Sequence, residues 1–338
     1  MCYNLAIKSK KGEKTFEFLF RSLKVEKKMK FWKISLIIAS LSLGLSADSI
    51  DDKFQSLVGK SMFIGNSSNL QGGHYKFDKE GGNKPELSDA GITFPYYFGE
   101  EGDLWRPFIL GGIGYSKIEE ENSNLRGTNK DKIEFTSIYY KIGGGITYNP
   151  TCDFSFVVGG SALVANSDGD YKTKVALSNS STDKKIKKLL DDDSTNKLYD
   201  GYGGFIYKPT IFGYKSELKS NLHYIKMDFD NGDDVDGVYL DLLAKVRSNE
   251  LTTLWCEPVW IEYYVGGDFV NSKLADVVGF NSAISVGSTL HWRVGPLIPI
   301  IKDSRFKDLN LAINVQKTIS NRDFEGWKAG VGFSLVKF

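Results

Sequence analysis

Apolar and polar residues alternate along many segments of this chain. Across residues 138–148, every second residue is Ile, Tyr or Gly, and the positions between them from Lys141 onward carry Lys, Gly or Thr. The same period of two recurs in segments 212–224, 280–292 and 309–316. It is the period of a β-strand whose two faces meet different surroundings. The pattern predicts about twelve strands within residues 57–338, an even number as in single-chain membrane barrels.

The links between the predicted strands alternate between long and short. The long links are 66–86, 119–131 and 166–196, and the short links are 99–103, 149–151 and 208–209. Short turns at one end and long loops at the other are typical of outer-membrane barrels. With both chain ends placed on the short-turn side, the long loops are expected outside the cell. Link 295–307, which contains Pro296 and Pro299, is too long for a tight turn and breaks the alternation.

The apolar face of these strands is predicted to meet lipid, with Tyr and Trp at its ends, and the polar face to line a lumen. The predicted fold class is therefore all-β, a transmembrane antiparallel up-and-down β-barrel. An all-β secreted domain is the alternative. The predicted lumen-lining residues are Lys215, Glu217, Lys219, His223, Lys245, Arg247, His291 and Arg293.

The chain ends on a further alternating run, residues 330–338. Within it, Gly332, Phe333, Val336 and Phe338 resemble the C-terminal assembly signal of outer-membrane barrels, although Gly330 stands where that family usually has a polar residue. The resemblance implies a location in the bacterial outer membrane. It also implies recognition of the last strand by the barrel assembly machinery and a lipid environment for the barrel.

The other end of the chain has the order of a secretory signal. Lys30 and Lys33 precede an apolar run over residues 34–45, which is followed by small residues up to Ala47. The run is too short to cross about 30 Å of hydrocarbon as a helix. Residues 1–47 are predicted to be an N-terminal extension plus signal peptide, with Met29 as the favoured true start. Residues 48–56 are expected to form a short segment before the barrel of residues 57–338.

Composition and motifs give no sign of chemistry. The net charge of +1 offers no argument for a nucleic-acid partner. Of the three histidines, His74 is placed in the first surface loop, and none sits in a Gly-x-Ser-x-Gly pentad. The acidic segment 228–234 lacks the downstream Glu of a calcium loop, and the Lys- and Asp-rich segment 182–194 is interpreted as a solvated surface loop. We expect no catalytic residue, no metal and no cofactor.

Strand number, inward glycines and the terminal Phe resemble the translocator barrel of autotransporters. In that family a secreted passenger and a helix that threads the pore precede the barrel. Because only residues 48–56 separate the predicted cleavage site from the first predicted strand, a solitary barrel without a passenger is expected. The resemblance covers residues 57–338 at the level of architecture and carries over no functional residues. A barrel with a narrow or plugged lumen is the favoured function. The alternatives are a small-solute pore or translocator and a surface-recognition or structural barrel, and an outer-membrane enzyme is the least favoured.

Overall fold

The computed structural model describes residues 50–67, 71–76, 86–100, 102–121, 131–173, 194–230, 232–300, 307–322 and 326–335. All of them belong to one compact unit, Ile50–Phe338. The helices are α1 (Ile50–Ser67) and α2 (Ser272–Val278), with a 3-10 turn at Gly295–Leu297. The strands are β1 (Gln71–Lys76), β2 (Glu86–Tyr97), β3 (Trp105–Glu121), β4 (Asp131–Tyr148), β5 (Phe154–Thr173), β6 (Ser194–Tyr207), β7 (Thr210–Ile211), β8 (Tyr214–Asp228), β9 (Val235–Arg247), β10 (Thr252–Leu254), β11 (Glu257–Val270), β12 (Ser282–Arg293), β13 (Leu309–Ser320) and β14 (Gly326–Leu335).

Twelve of these strands close into an antiparallel barrel. Each ring strand pairs with its neighbours in the chain, in the order β1–β2–β3–β4–β5–β6–β8–β9–β11–β12–β13–β14, and β14 pairs back with β1. The short strands β7 and β10 lie in the turns that follow β6 and β9. The prediction of an all-β, antiparallel, up-and-down barrel of about twelve strands is confirmed.

Side chains along the strands alternate between the interior and the outer surface. In β6, positions 194, 196, 198 and 200 are buried while positions 195, 197 and 199 are exposed. Strands β4 and β5 approach each other closely at an inward-facing glycine of β4. A Cβ at Gly143 would overlap the backbone oxygen of Gly160 on β5. The glycine-rich stretch of β4 therefore serves close strand approach.

The start of the barrel differs from the prediction. A first strand was expected from Leu57 to a loop at Asn66, but α1 occupies this segment, and β1 lies inside the predicted loop. The buried residues of α1 include Leu57, Val58, Met62, Phe63 and Ile64. A helix forms its own backbone hydrogen bonds, so it can lie inside a closed barrel where no strand edge is free to pair with it. The described strands thus begin at residue 71, and residues 1–49, with the predicted signal peptide, lie outside the described part.

The two ends of the barrel carry different connections. The links after β2, β4, β6 and β9 lie at one end of the barrel, which we call the short-turn end. The opposite end carries α2, and we call it the long-loop end. The exceptional link after β12 lies at the short-turn end and begins with the 3-10 turn Gly295–Leu297. Loop residues 77–85, 122–130 and 174–193 lie outside the described part, and so does most of segment 182–194. Among the described helices, neither is both long and apolar enough to cross a membrane.

Candidate functional site

A continuous apolar belt surrounds the outer surface of the barrel. On β3, the side chains of Trp105, Ile109, Ile113 and Tyr115 are 41–56% exposed, and the same face then continues with charged Lys117. The ten residue-to-residue steps from Trp105 to Tyr115 rise about 33 Å along the strand. A strand tilted by about 40° spans roughly 25 Å in height over this length, which is the height of the apolar band of outer-membrane barrels. The belt therefore matches a bilayer.

Aromatic rings join along the belt at the short-turn end. The ring centroids of Trp105 and Tyr148 are 4.5 Å apart, and those of Phe154 and Phe205 are 5.9 Å apart. At the long-loop end, Tyr115, Tyr199, Tyr224 and Trp327 are exposed on the outer surface. Aromatic girdles at both edges of an apolar belt are typical of barrels in the bacterial outer membrane. By its closed strand ring and this belt, the chain is an outer-membrane β-barrel.

Helix α1 fills the long-loop half of the lumen. Met62 is fully buried, and the ring of Phe63 meets the ring of Tyr239 on β9 edge-on at 5.0 Å. Interior apolar side chains of six strands form one core with the helix: Leu87, Ile118, Ile133, Leu163, Leu198 and Ile225. Burial of apolar surface on both the helix and the barrel wall stabilises this position of α1.

Polar contacts hold the C-terminal end of α1 near the middle of the barrel. The Asn66 amide donates to Asp200 Oδ2 on β6 at 2.9 Å, and its backbone carbonyl accepts from Lys141 Nζ on β4 at 2.5 Å. Ser161 Oγ on β5 donates to Asn66 Oδ1 at 3.3 Å. Asn66 of α1 is therefore hydrogen-bonded to three successive strands.

The N-terminal end of α1 lies at the long-loop end. Gln55 donates to the backbone oxygen of Asp233, and Ser56 Oγ donates to the backbone oxygen of Val277 at 3.0 Å. Val277 belongs to α2, which packs on Gly59 so closely that a Cβ there would overlap the Val277 side chain. Helix α2 thus packs against α1 at the long-loop end. Helix α1 therefore runs inward from the long-loop end, and the described part of the chain begins at that end.

Three of the predicted lumen residues on β8 and β9 face the interior and each meets an acidic partner. Lys219 Nζ lies 3.1 Å from Asp241 Oδ2, and His223 Nδ1 lies 2.9 Å from Asp200 Oδ1. Lys245 lies between two acids, with Nζ 3.1 Å from Glu262 Oε1 and 3.9 Å from Glu217 Oε1. Lys215 is exposed at the short-turn end of β8.

The remaining predicted lumen residues form a stacked group near the short-turn end. The Arg247 guanidinium lies over the Trp260 ring at 4.0 Å from its centroid, and the His291 ring stacks on Trp260 with centroids 5.4 Å apart. Arg293 Nε pairs with Glu257 Oε2 at 2.5 Å. Five interior partners were missed from the sequence: Asp200, Asp241, Glu257, Trp260 and Glu262. Asp200, Asp241, Trp260 and Glu262 follow the inward parity of their strands, so counting alternate positions along β6, β9 and β11 could have found them. Glu257 does not share the parity of Trp260 and Glu262 on β11, so this count would have missed it.

The predicted assembly signal lies on the closing strand. Phe333 is 42% exposed on the outer surface of β14, and Gly332 occupies the alternate, inward position. Strand β14 pairs along its length with β13 but with β1 only at His74↔Ala329 and Tyr75↔Lys328. Val336 and Phe338 lie outside the described residues.

Comparison with known proteins finds similarity at the level of architecture. No protein-family model matches the chain, and no curated protein sequence matches it. The transport unit of the autotransporter AIDA-I from Escherichia coli is 13% identical, with 86% of this chain and 100% of that chain covered and a TM-score of 0.48. The translocator domain of the autotransporter NalP from Neisseria meningitidis is 13% identical, with 84% and 94% covered and a TM-score of 0.46. The beta domain of the Bordetella autotransporter BrkA is 10% identical, with 78% and 96% covered and a TM-score of 0.45. The chain is similar in architecture to these autotransporter barrels.

Proposed function

We propose that this chain is an integral outer-membrane barrel of autotransporter-type architecture whose lumen is plugged by its own helix α1. In this proposal the barrel does not conduct solutes, and it acts at the cell surface through its long-loop end, in recognition or as a structural element. The observation that carries the proposal is the seating of α1, with Met62 fully buried and Asn66 bonded to three strands.

The short-turn half of the lumen supports the same proposal. A selective pore needs charges of one sign that face a passing ion. Here Lys219, Lys245 and Arg293 each lie within 3.1 Å of a carboxylate oxygen. Side chains of opposite charge that pair across neighbouring strands occupy the lumen and do not leave free charges to line a channel.

Conductance in planar bilayers tests the plug. The wild-type chain should show no steady current, whereas Met62→Asp should show stepwise openings, because a buried carboxylate expels the helix from its apolar surroundings. The matched control is Thr195→Asp, which adds the same charge at an exposed position of β6. This control should stay closed.

A reversible cross-link sharpens the test. The hydroxyls of Ser61 on α1 and Ser116 on β3 are in contact, so Ser61→Cys/Ser116→Cys should form a disulfide between plug and wall. The exposed free thiol of Cys256 is removed by Cys256→Ser. Added to Met62→Asp, the cross-link should abolish openings until a reductant is supplied. Steady stepwise currents through the wild type, unchanged by the cross-link and altered by charge reversal at Lys215 and Lys219, would establish a pore instead.

A further inference from the structure

Three polar side chains meet on the outer surface of β1 and β2. Ser88 Oγ lies 2.9 Å from His74 Nδ1, and His74 Nε2 lies 3.6 Å from Glu86 Oε2. The side chains of His74 and Glu86 are 44% and 41% exposed, and Ser88 is half-buried. A hydroxyl, an imidazole and a carboxylate thus form a linear series that is open to the surroundings of the barrel.

This series has the order needed for nucleophilic catalysis. A serine needs a base that takes its proton, and the base needs an acid that orients it. With the proton on Nε2 directed at Glu86, His74 Nδ1 accepts from the Ser88 hydroxyl. Each imidazole nitrogen can be either donor or acceptor, so Nδ1 can serve as the base. The wider spacing to Glu86 suits a site without substrate, since catalytic hydrogen bonds shorten when substrate binds.

The series lies at the edge of the apolar belt. Ser88 lies on the outer face of β2 together with the exposed residues Ala90 and Phe94. It is the next outward-facing residue after Ala90 towards the long-loop end. Ala90 pairs with Tyr115, the last aromatic residue of the belt on β3. Aromatic residues of this kind mark the level of the lipid headgroups. The acyl-ester bonds of membrane lipids lie at that same boundary between headgroup and hydrocarbon.

We propose that Ser88 and His74, positioned by Glu86, form an acyl-ester hydrolase site that acts on membrane lipids from the outer wall of the barrel. Ser88 Oγ attacks the ester carbonyl carbon while its proton passes to His74 Nδ1. The bond between that carbon and the lipid alcohol oxygen breaks, and the alcohol takes the proton from His74. Water then attacks the acyl-serine and gives a proton to His74. The carboxylic acid leaves, and Ser88 recovers its proton.

The site is independent of the plugged lumen, so the inference goes beyond the proposed function. The sequence-based expectation of no catalytic residue placed His74 in a surface loop and found no histidine in a Gly-x-Ser-x-Gly pentad. The structure places it on β1, paired in register with Ser88. Fourteen positions separate the two residues in the chain, and strand pairing alone brings them together.

Fatty-acid release from lipid micelles tests the proposal. The purified full chain is folded in mixed micelles that contain dioctanoylphosphatidylcholine, and released octanoate is measured. Ser88→Ala and His74→Ala should each lower the rate by about 10³-fold or more. Glu86→Gln should lower kcat roughly 10²-fold with little change in KM, because the orienting carboxylate acts mainly in the transition state. Ser288→Ala, on the outer face of β12 with Tyr263 and Val315 as register neighbours, should leave the rate unchanged.

Covalent labelling gives a second readout. A fluorophosphonate probe should modify Ser88, as seen by peptide mass spectrometry, and the labelling should be lost in His74→Ala. Folding of each variant is checked by its heat-dependent electrophoretic mobility. A folded wild type that releases no more octanoate than Ser88→Ala, or that is labelled at another serine, would overturn the proposal. Neither result depends on conductance, so the plugged-lumen proposal succeeds or fails separately.

Discussion

Charged side chains inside the barrel are held by partners on adjacent strands. Lys245 on β9 shows the arrangement, because it stands opposite Glu217 on β8 and lies 3.1 Å from Glu262 on β11. Glu262 is nearly fully buried. Taking a charge out of water is costly unless a partner of opposite sign compensates for it. The ion pair therefore compensates for the burial of the Glu262 carboxylate.

Removal of one member of this pair should destabilise the barrel more than removal of both. Lys245→Met leaves the buried Glu262 carboxylate without its cation and should lower the free energy of unfolding by about 1–3 kcal/mol. The double variant Lys245→Met/Glu262→Leu should lower it by less, because no charge is stranded. Urea unfolding in lipid vesicles measures both values. Equal losses in the single and double variants would mean that the pair does not couple.

Two short turns carry exposed aromatic residues in a strained backbone conformation. Among the described residues, positive φ at non-glycine positions occurs at Phe212 (52°), Trp255 (51°) and Cys256 (65°). Phe212 is 84% exposed and Trp255 is 70% exposed, and the Trp255 ring lies 5.0 Å from that of Trp292 in the belt. Hairpin turns of this geometry favour Asn, Asp and Gly. We infer that the aromatic tips extend the belt into the headgroup layer.

The sign of a stability change distinguishes lipid contact from turn preference. Phe212→Asn and Trp255→Asn should each lower the free energy of unfolding in vesicles by about 1 kcal/mol, because apolar contact with lipid is lost. Turn preference alone predicts a gain in stability instead, because Asn adopts positive φ more readily than Phe or Trp. Thr253→Asn, in the adjacent short strand β10, is the control for the substituted amide. Variants more stable than the wild type would show that the tips do not contact lipid.

At the scale of the whole molecule, the direction of α1 places the start of the folded chain at the long-loop end. Gln55 and Ser56 contact the loops there, and Asn66 lies deep in the lumen. Long loops of outer-membrane barrels face the outside. An epitope inserted after Asp48 should therefore bind antibody on intact cells. The control epitope, inserted in the short turn after Asn149, should bind only after lysis, and the reverse pattern would invert the topology.

Assembly of the barrel should depend on the last residue. The C-terminal sequence up to Phe338 resembles the assembly signal of outer-membrane barrels, and β14 is the strand that pairs with β1 to close the ring. Deletion of Phe338 should sharply lower the amount of heat-modifiable barrel in the outer-membrane fraction. Deletion of Met1 leaves the closing strand untouched and should not change it, provided that translation can start at Met29. Normal insertion without Phe338 would contradict its role in barrel assembly.

The sequence alone determined the features that follow from local periodicity. Alternation at every second residue predicted the strands, their even number, the lipid-facing belt and the inward direction of residues such as Lys219 and Arg247. This was possible because a strand's two faces are set by its own pleat and need no knowledge of its neighbours. The closed barrel follows, since the backbone groups of a membrane-spanning sheet must all be paired.

Only the tertiary structure decided what depends on residues that are distant in the chain. Segment 57–66 was predicted as a strand, and it is a helix because the barrel interior offers it apolar contacts and no free strand edge. The partners of Lys245 and His223, and the meeting of His74 with Ser88, follow from strand register. Register is set by pairing across the whole ring, and a shift of one residue would turn every one of these side chains to the opposite face.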